Sequence, residues 1–244
     1  MTNLYKKSDI TFAIVWIIAY VVLTSIADSL SEGTGVEKSV TVIVHLVMTA
    51  VLFLWIRKNG LTVKYGLCRS KVPAKRFLYY LPLAIIASAS LWNGFNLNYG
   101  GLGTVCFIVS MCCVGFLEEV IFRGLLFRAM EKNNLKRAII VSSVTFGIGH
   151  IVNLFRNGSM ETFVQIIFAV LVGFVLVLIF HFGGSLIPCI IFHAANNALS
   201  AFENAGKMDP RTELVLNFVL IVVVLGGYLL YIYKVFCKKD RAVK

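Results

Sequence analysis

Glu118 and Glu119 stand side by side in the apolar stretch Phe116–Gly124, FLEEVIFRG, and Arg123 follows Glu119 by four residues. Ionisable groups inside such a stretch are costly and mark function. Residues at i and i+4 share a helical face, so Glu119 and Arg123 can pair. A carboxylate so paired is held ionised and oriented and is a poor proton acceptor in a reaction, which suits Glu119 to a structural role. Glu118 is rotated by about 100° around the helix and has no i+4 cation, so it is the carboxylate left to activate water as a general base.

Two further apolar stretches carry polar groups at the same spacing. Phe146 and His150 are i,i+4, as are His193 and Asn197, with Asn196 beside the latter. Peptide hydrolysis needs an activated water, a proton donor for the leaving amine and donors aimed at the developing oxyanion. Glu118 can pass the proton on, and His193 and Asn197 can donate to an oxyanion. Each cluster also has a plainer use: a Glu–Arg pair can fix packing, and His or Asn can bond a neighbouring helix. His45 and His181 have no partners of this type and read as structural.

The elements that position these groups follow from composition. The 244 residues are 59% hydrophobic and 14% charged, against about 45–50% and about 25% in soluble domains. The apolar runs are continuous, which selects helices over barrel strands. An all-α integral membrane protein is expected, a single transmembrane domain over 1–244 with a motif-bearing core at about 102–203 and a polar catalytic cavity inside the bundle. Eight transmembrane helices are expected, at Ile10–Ala27, Val40–Ile56, Phe77–Trp92, Leu102–Met130, Ala138–Asn153, Phe163–Phe180, Ser185–Phe202 and Leu214–Phe236. The first is read as a retained helix, because its apolar run exceeds a signal-peptide core.

A net charge of +11 raises the question of nucleic acid, but no basic soluble domain accompanies it. All basic residues except Lys38, Arg156, Lys207 and Arg211 fall in segments that share one side when eight spans alternate. By the positive-inside rule that side is cytoplasmic, giving a multi-pass protein of the cell membrane with both termini inside. The six cysteines form no CxxC pair and read as small buried hydrophobes. Counted from the basic ends at about 1.5 Å per residue, Glu118 and His150 lie about 20 Å deep and His193 about 14 Å. Comparable depth lets three separated segments share one cavity, reached by water from the cytoplasmic side.

Glu118-Glu119-x-x-x-Arg123, Phe146-x-x-x-His150 and His193-x-x-x-Asn197 together resemble the motifs of the CPBP intramembrane protease family, also called CAAX protease and bacteriocin-processing. The flanks EEVIFRG and GSLIPCIIFHAANN agree, and the resemblance covers roughly Ile108–Ser200. It implies an eight-helix bundle whose site opens towards the cytoplasmic leaflet. It also implies that Glu118 activates water together with His150, that His193 and Asn197 line the oxyanion site, and that Glu119 and Arg123 hold the site in shape. The family is often described as metalloproteases, and a metal-free glutamate mechanism has also been proposed for it. Zinc is therefore one alternative, with His150, His193 and a glutamate as the three protein ligands such a site needs, although HExxH is absent.

The leading expectation is an intramembrane endopeptidase acting on a membrane-associated peptide or protein in the bilayer. Signal-peptide processing, bacteriocin processing and bacteriocin immunity are plausible roles. The alternatives are a non-proteolytic scaffold or immunity partner and a small transporter. A transporter would show inverted repeats or broken helices, and neither stands out in the sequence. Substrate identity, cleavage position and oligomeric state are not written in the motifs.

Overall fold

The computed structural model describes residues 1–151, 159–204 and 209–237. Its elements are α1 (Thr2–Lys7), α2 (Asp9–Glu32), α3 (Ser39–Lys58), α4 (Leu81–Ser88), α5 (Gly101–Glu118), α6 (Arg128–Glu131), α7 (Leu135–Gly149), α8 (Ser159–Gly183), α9 (Ile187–Leu199), α10 (Pro210–Phe218) and α11 (Gly227–Ile232). A π-helical segment, Glu119–Phe127, joins α5 to α6 without a break, and two more, Val219–Gly226 and Tyr233–Cys237, flank α11. Among the described residues the extended structure is one isolated bridge, Phe95 with Glu203.

Each expected helix has a helical counterpart. Among the described residues five helices are long and apolar enough to cross a membrane: Asp9–Glu32, Ser39–Lys58, Gly101–Glu131, Thr162–Gly183 and Val215–Phe236. The third expected helix is the one that differs. Leu78, Tyr79 and Tyr80 adopt left-handed backbone, with φ of 51°, 53° and 59°, and α-helix begins only at Leu81. Pro82 accounts for the position of that start. It has no N–H to give to Leu78, so it is tolerated in the first turn of a helix and not further in. The fifth expected helix leaves the described residues after Ile151, so its end at Asn153 lies outside them.

Side-chain caps fix three of the starts among the described residues. Ser8 accepts from the Thr11 N–H at 3.1 Å before α2, Asn134 accepts from the Arg137 N–H at 2.9 Å before α7, and Asp209 accepts from the Thr212 N–H at 3.1 Å before α10. Each satisfies an N–H that the first turn leaves without a partner.

The core is built around the motif helix. Leu117, Val120, Ile121 and Phe127 are wholly buried, together with Glu119 and Arg123. α5 packs closely on α9, and α7 on α8. Gly115 sets the first approach: a Cβ there would lie 2.7 Å from the Ala194 nitrogen. Such small-residue contacts are how membrane helices come within van der Waals range.

The two ends of the bundle are organised differently. At one end the Asp9 carboxylate lies 3.0 Å from Lys64 Nζ and 3.9 Å from Lys132 Nζ. The segment after α3 is sewn to the α8–α9 turn there, with Lys71 N–H donating to Gly183 O and Leu186 N–H to Gly66 O, both at 2.8 Å. Gly66 has φ +68°, and a Cβ there would meet Phe180 at 2.3 Å, so glycine is required. At the other end Lys38 bonds Asp28 at 2.8 Å, and Asn96 N–H donates to Phe202 O at 3.0 Å.

Candidate active site

A cavity of about 720 Å³ lies inside the bundle, and Glu118, Phe146, His150, Asn196 and Asn197 are on its wall. Three separated helices thus deliver their polar groups to one place. Three of the six residues singled out by spacing, Glu118, His150 and Asn197, line this space, and His193, Glu119 and Arg123 stand behind Glu118.

Glu119 and Arg123 are the supports. Arg123 Nη1 donates to Glu119 Oε1 at 3.0 Å, and both side chains are wholly buried. The π-helical winding begins at Glu119; such insertions recur at functional sites. The Phe146 ring lies 4.0 Å from the Arg123 guanidinium, placing an aromatic face against a desolvated cation. Charge asymmetry groups Arg123 with the cytoplasmic basic residues, but its side chain is wholly buried in the core.

His193 lies between the two glutamates. Its Nδ1 donates to Glu119 Oε1 at 2.9 Å, and its Nε2 stands 3.5 Å from Glu118 Oε2. The ion pair therefore orients the imidazole, and the imidazole addresses Glu118. This differs from a place on an oxyanion wall, because both ring nitrogens of His193 face carboxylates.

Glu118 is fixed from a third direction by a residue that the spacing did not single out. Tyr20 Oη donates to Glu118 Oε1 at 2.6 Å. The Tyr20 ring stacks on His45, with centroids 5.9 Å apart. His45 in turn bridges Thr24 Oγ1 at 3.0 Å and Ser110 Oγ at 2.9 Å. Its structural reading as an interhelical tie agrees with these contacts, and the tie steadies Tyr20. The one signal in the sequence was position: Tyr20 sits midway along α2, away from the membrane interfaces where tyrosines gather.

His150 Nδ1 lies 3.1 Å from the Phe146 carbonyl. The carbonyl can only accept, so Nδ1 carries the proton and, in the neutral ring, Nε2 carries the lone pair. Asn196 Nδ2 donates to Asn197 Oδ1 at 3.3 Å. That bond uses one lone pair of the Asn197 carbonyl and none of its amide hydrogens.

A zinc site from His150, His193 and a glutamate does not fit this arrangement. His193 Nδ1 bonds the Glu119 carboxylate, an arrangement that zinc-bound histidines share, but the three ligands are not gathered around one point. Among the described residues no group of three His, Cys, Asp or Glu side chains is placed to hold a metal ion.

Residues 99–199 match the family model described as type II CAAX prenyl endopeptidase Rce1-like. No curated protein and no solved structure matches the chain. The matched segment opens before α5 and closes at the end of α9, so it contains all six residues and leaves Tyr20 and His45 outside. Over residues 99–199 the chain is thus similar to a family of CAAX proteases, the same family that its three motifs resemble.

Proposed function

We propose that the protein is an intramembrane endopeptidase that hydrolyses a peptide bond in a membrane-associated polypeptide with water activated by Glu118. The observation that carries this reading is the setting of Glu118. One carboxylate oxygen accepts from Tyr20 at 2.6 Å, the other faces His193 at 3.5 Å, and the side chain borders the cavity that His150 and Asn197 share.

Glu118 takes a proton from water as the oxygen bonds to the scissile carbonyl carbon. His150, on the same wall, positions that water. The carbonyl oxygen becomes an oxyanion and accepts from the Asn197 amide. Glu118 then gives its proton to the leaving nitrogen, the C–N bond breaks, and a carboxylic acid and an amine leave. His193 holds Glu118 and can exchange a proton with it. Its carboxylate-facing position leaves the oxyanion to Asn197. Glu119 and Arg123 keep His193 in its orientation. The surrounding chain is an eight-crossing bundle in the cell membrane with both termini in the cytoplasm.

The deciding experiment compares Glu118→Gln with wild type as purified proteins, on candidate membrane peptides. The amide keeps the shape and removes the base. Loss of cleavage with unchanged unfolding temperature supports the hydrolase. Retained biological function in Glu118→Gln points instead to a scaffold or immunity partner.

A further inference from the structure

The cavity and the basic segments occupy opposite ends of the bundle. Asp9 gathers Lys64 and Lys132 at one end, and Tyr231 Oη donates to the Arg76 carbonyl at 3.3 Å, bringing the last helix to the 59–76 segment. The backbone bonds between that segment and the α8–α9 turn lie at the same end.

The cavity runs the other way. On α2 its wall extends from Tyr20 to Ser29, about 14 Å of helix rise in the direction away from Asp9. On α5 it extends from Glu118 back to Met111, and on α9 from Asn196 forward to Ser200. Asp28 and Lys38, paired at 2.8 Å, stand at its rim with Ser90. Every one of these displacements leads from Glu118 towards the end without the basic segments.

We infer that the scissile bond reaches Glu118 from the extracytoplasmic end of the bundle. The inference rests on the hydrolase reading and on the positive-inside orientation, and it names the substrate class. The substrate is an exported or membrane-inserted polypeptide whose cleavage point lies at the outer leaflet. The walls leading in carry hydroxyls and amides, among them Thr24, Ser25, Asn196 and Ser200. Such groups supply hydrogen-bond partners to the backbone of an extended peptide, which arrives with its N–H and C=O groups unpaired. A volume of about 720 Å³ accommodates a short stretch of chain, being within the range of ~300–1,000 Å³ typical of ligand sites. This entry is opposite to the cytoplasmic access that the resemblance implies.

Thiol labelling in intact cells producing the full chain tests this, with a membrane-impermeant maleimide and wild type as the background for native cysteines. Ser29→Cys at the rim and Met111→Cys on the inner wall react from outside, above background. Lys58→Cys, at the basic end, reacts only after permeabilisation. Labelling of Met111→Cys only after permeabilisation, or of Lys58→Cys in intact cells, overturns the inference. Glu118-dependent cleavage by the purified protein would survive either of those results, so the hydrolase reading is judged separately.

Discussion

Tyr20 and Glu118 are 98 residues apart in sequence and are joined by a hydrogen bond of 2.6 Å. The bond ties α2, which lies outside the matched family segment, to the carboxylate on which the proposed chemistry depends. Tyr20 is a positioning residue in this scheme. It acts on the substrate only through Glu118, whose remaining oxygen is left to face His193 and the cavity.

Tyr20→Phe removes that donor and keeps the ring on His45. A hydrogen bond to a charged group is worth about 1.5–3 kcal/mol, and each 1.36 kcal/mol is tenfold in rate. The expected result is a fall in kcat of about 10- to 100-fold, with KM and unfolding temperature near wild type. A merely structural tyrosine would instead lower stability and leave kcat of the folded fraction unchanged.

The buried pair makes a separate prediction about stability. Arg123→Ala leaves the Glu119 carboxylate in the core without its cation, and breaking a buried pair from one side costs about 3–5 kcal/mol. The double variant Glu119→Leu with Arg123→Met removes both charges and is expected to regain most of that loss. It should still fail to cleave, because His193 Nδ1 has lost its acceptor. Unfolding in detergent and a cleavage assay on the same preparations separate the two effects.

Much of this was legible before any coordinates. The i,i+4 spacing gave the Glu119–Arg123 pair, and the depth count brought Glu118, His150 and His193 to one level. Long apolar runs marked the five long helices. What escaped was whatever depends on direction. A depth counted from the basic ends places Glu118 well inside but carries no sign of which end water or substrate comes from. Tyr20 escaped because a tyrosine in an apolar helix has no polar partner at helical spacing; its partner lies across the bundle. The break at Leu78–Tyr80 escaped because hydropathy does not register backbone handedness, although Pro82 was there to be weighed. The place of His193 between two carboxylates escaped because it depends on the rotation of α9 against α5, which close contact at Gly115 sets.

Gly115 therefore offers a test of that rotation. An added Cβ would stand 2.7 Å from the Ala194 nitrogen and 2.9 Å from its Cα. Both are backbone atoms and neither can swing aside. Gly115→Ala is expected to cost about 1–3 kcal/mol from overpacking and to push α9 away from the motif helix. His193 is on the residue before Ala194, so its contacts with Glu118 and Glu119 should lengthen. A loss of kcat larger than the loss of folded protein would show the displacement reaching the site. A variant as active and stable as wild type would mean that the two helices have room the structure does not give them.

Chelation tests the division of labour around His193. A zinc ligand must offer a ring nitrogen, and the nitrogens of His193 are directed to Glu119 Oε1 at 2.9 Å and to Glu118 Oε2 at 3.5 Å. A histidine that bonds a carboxylate through Nδ1 can still coordinate through Nε2, but among the described residues no third ligand stands with His193 and Glu118. Catalytic zinc sites normally assemble three protein ligands beforehand. Cleavage by the purified protein is accordingly expected to persist after incubation with a strong chelator and removal of the chelate. The companion variant His193→Asn should lose activity with or without added zinc, because it removes the contact to Glu118 and not a ligand. Loss of activity on chelation, restored by zinc alone, would show that these side chains rearrange around a metal, and the metal-free use of Glu118 would have to be given up.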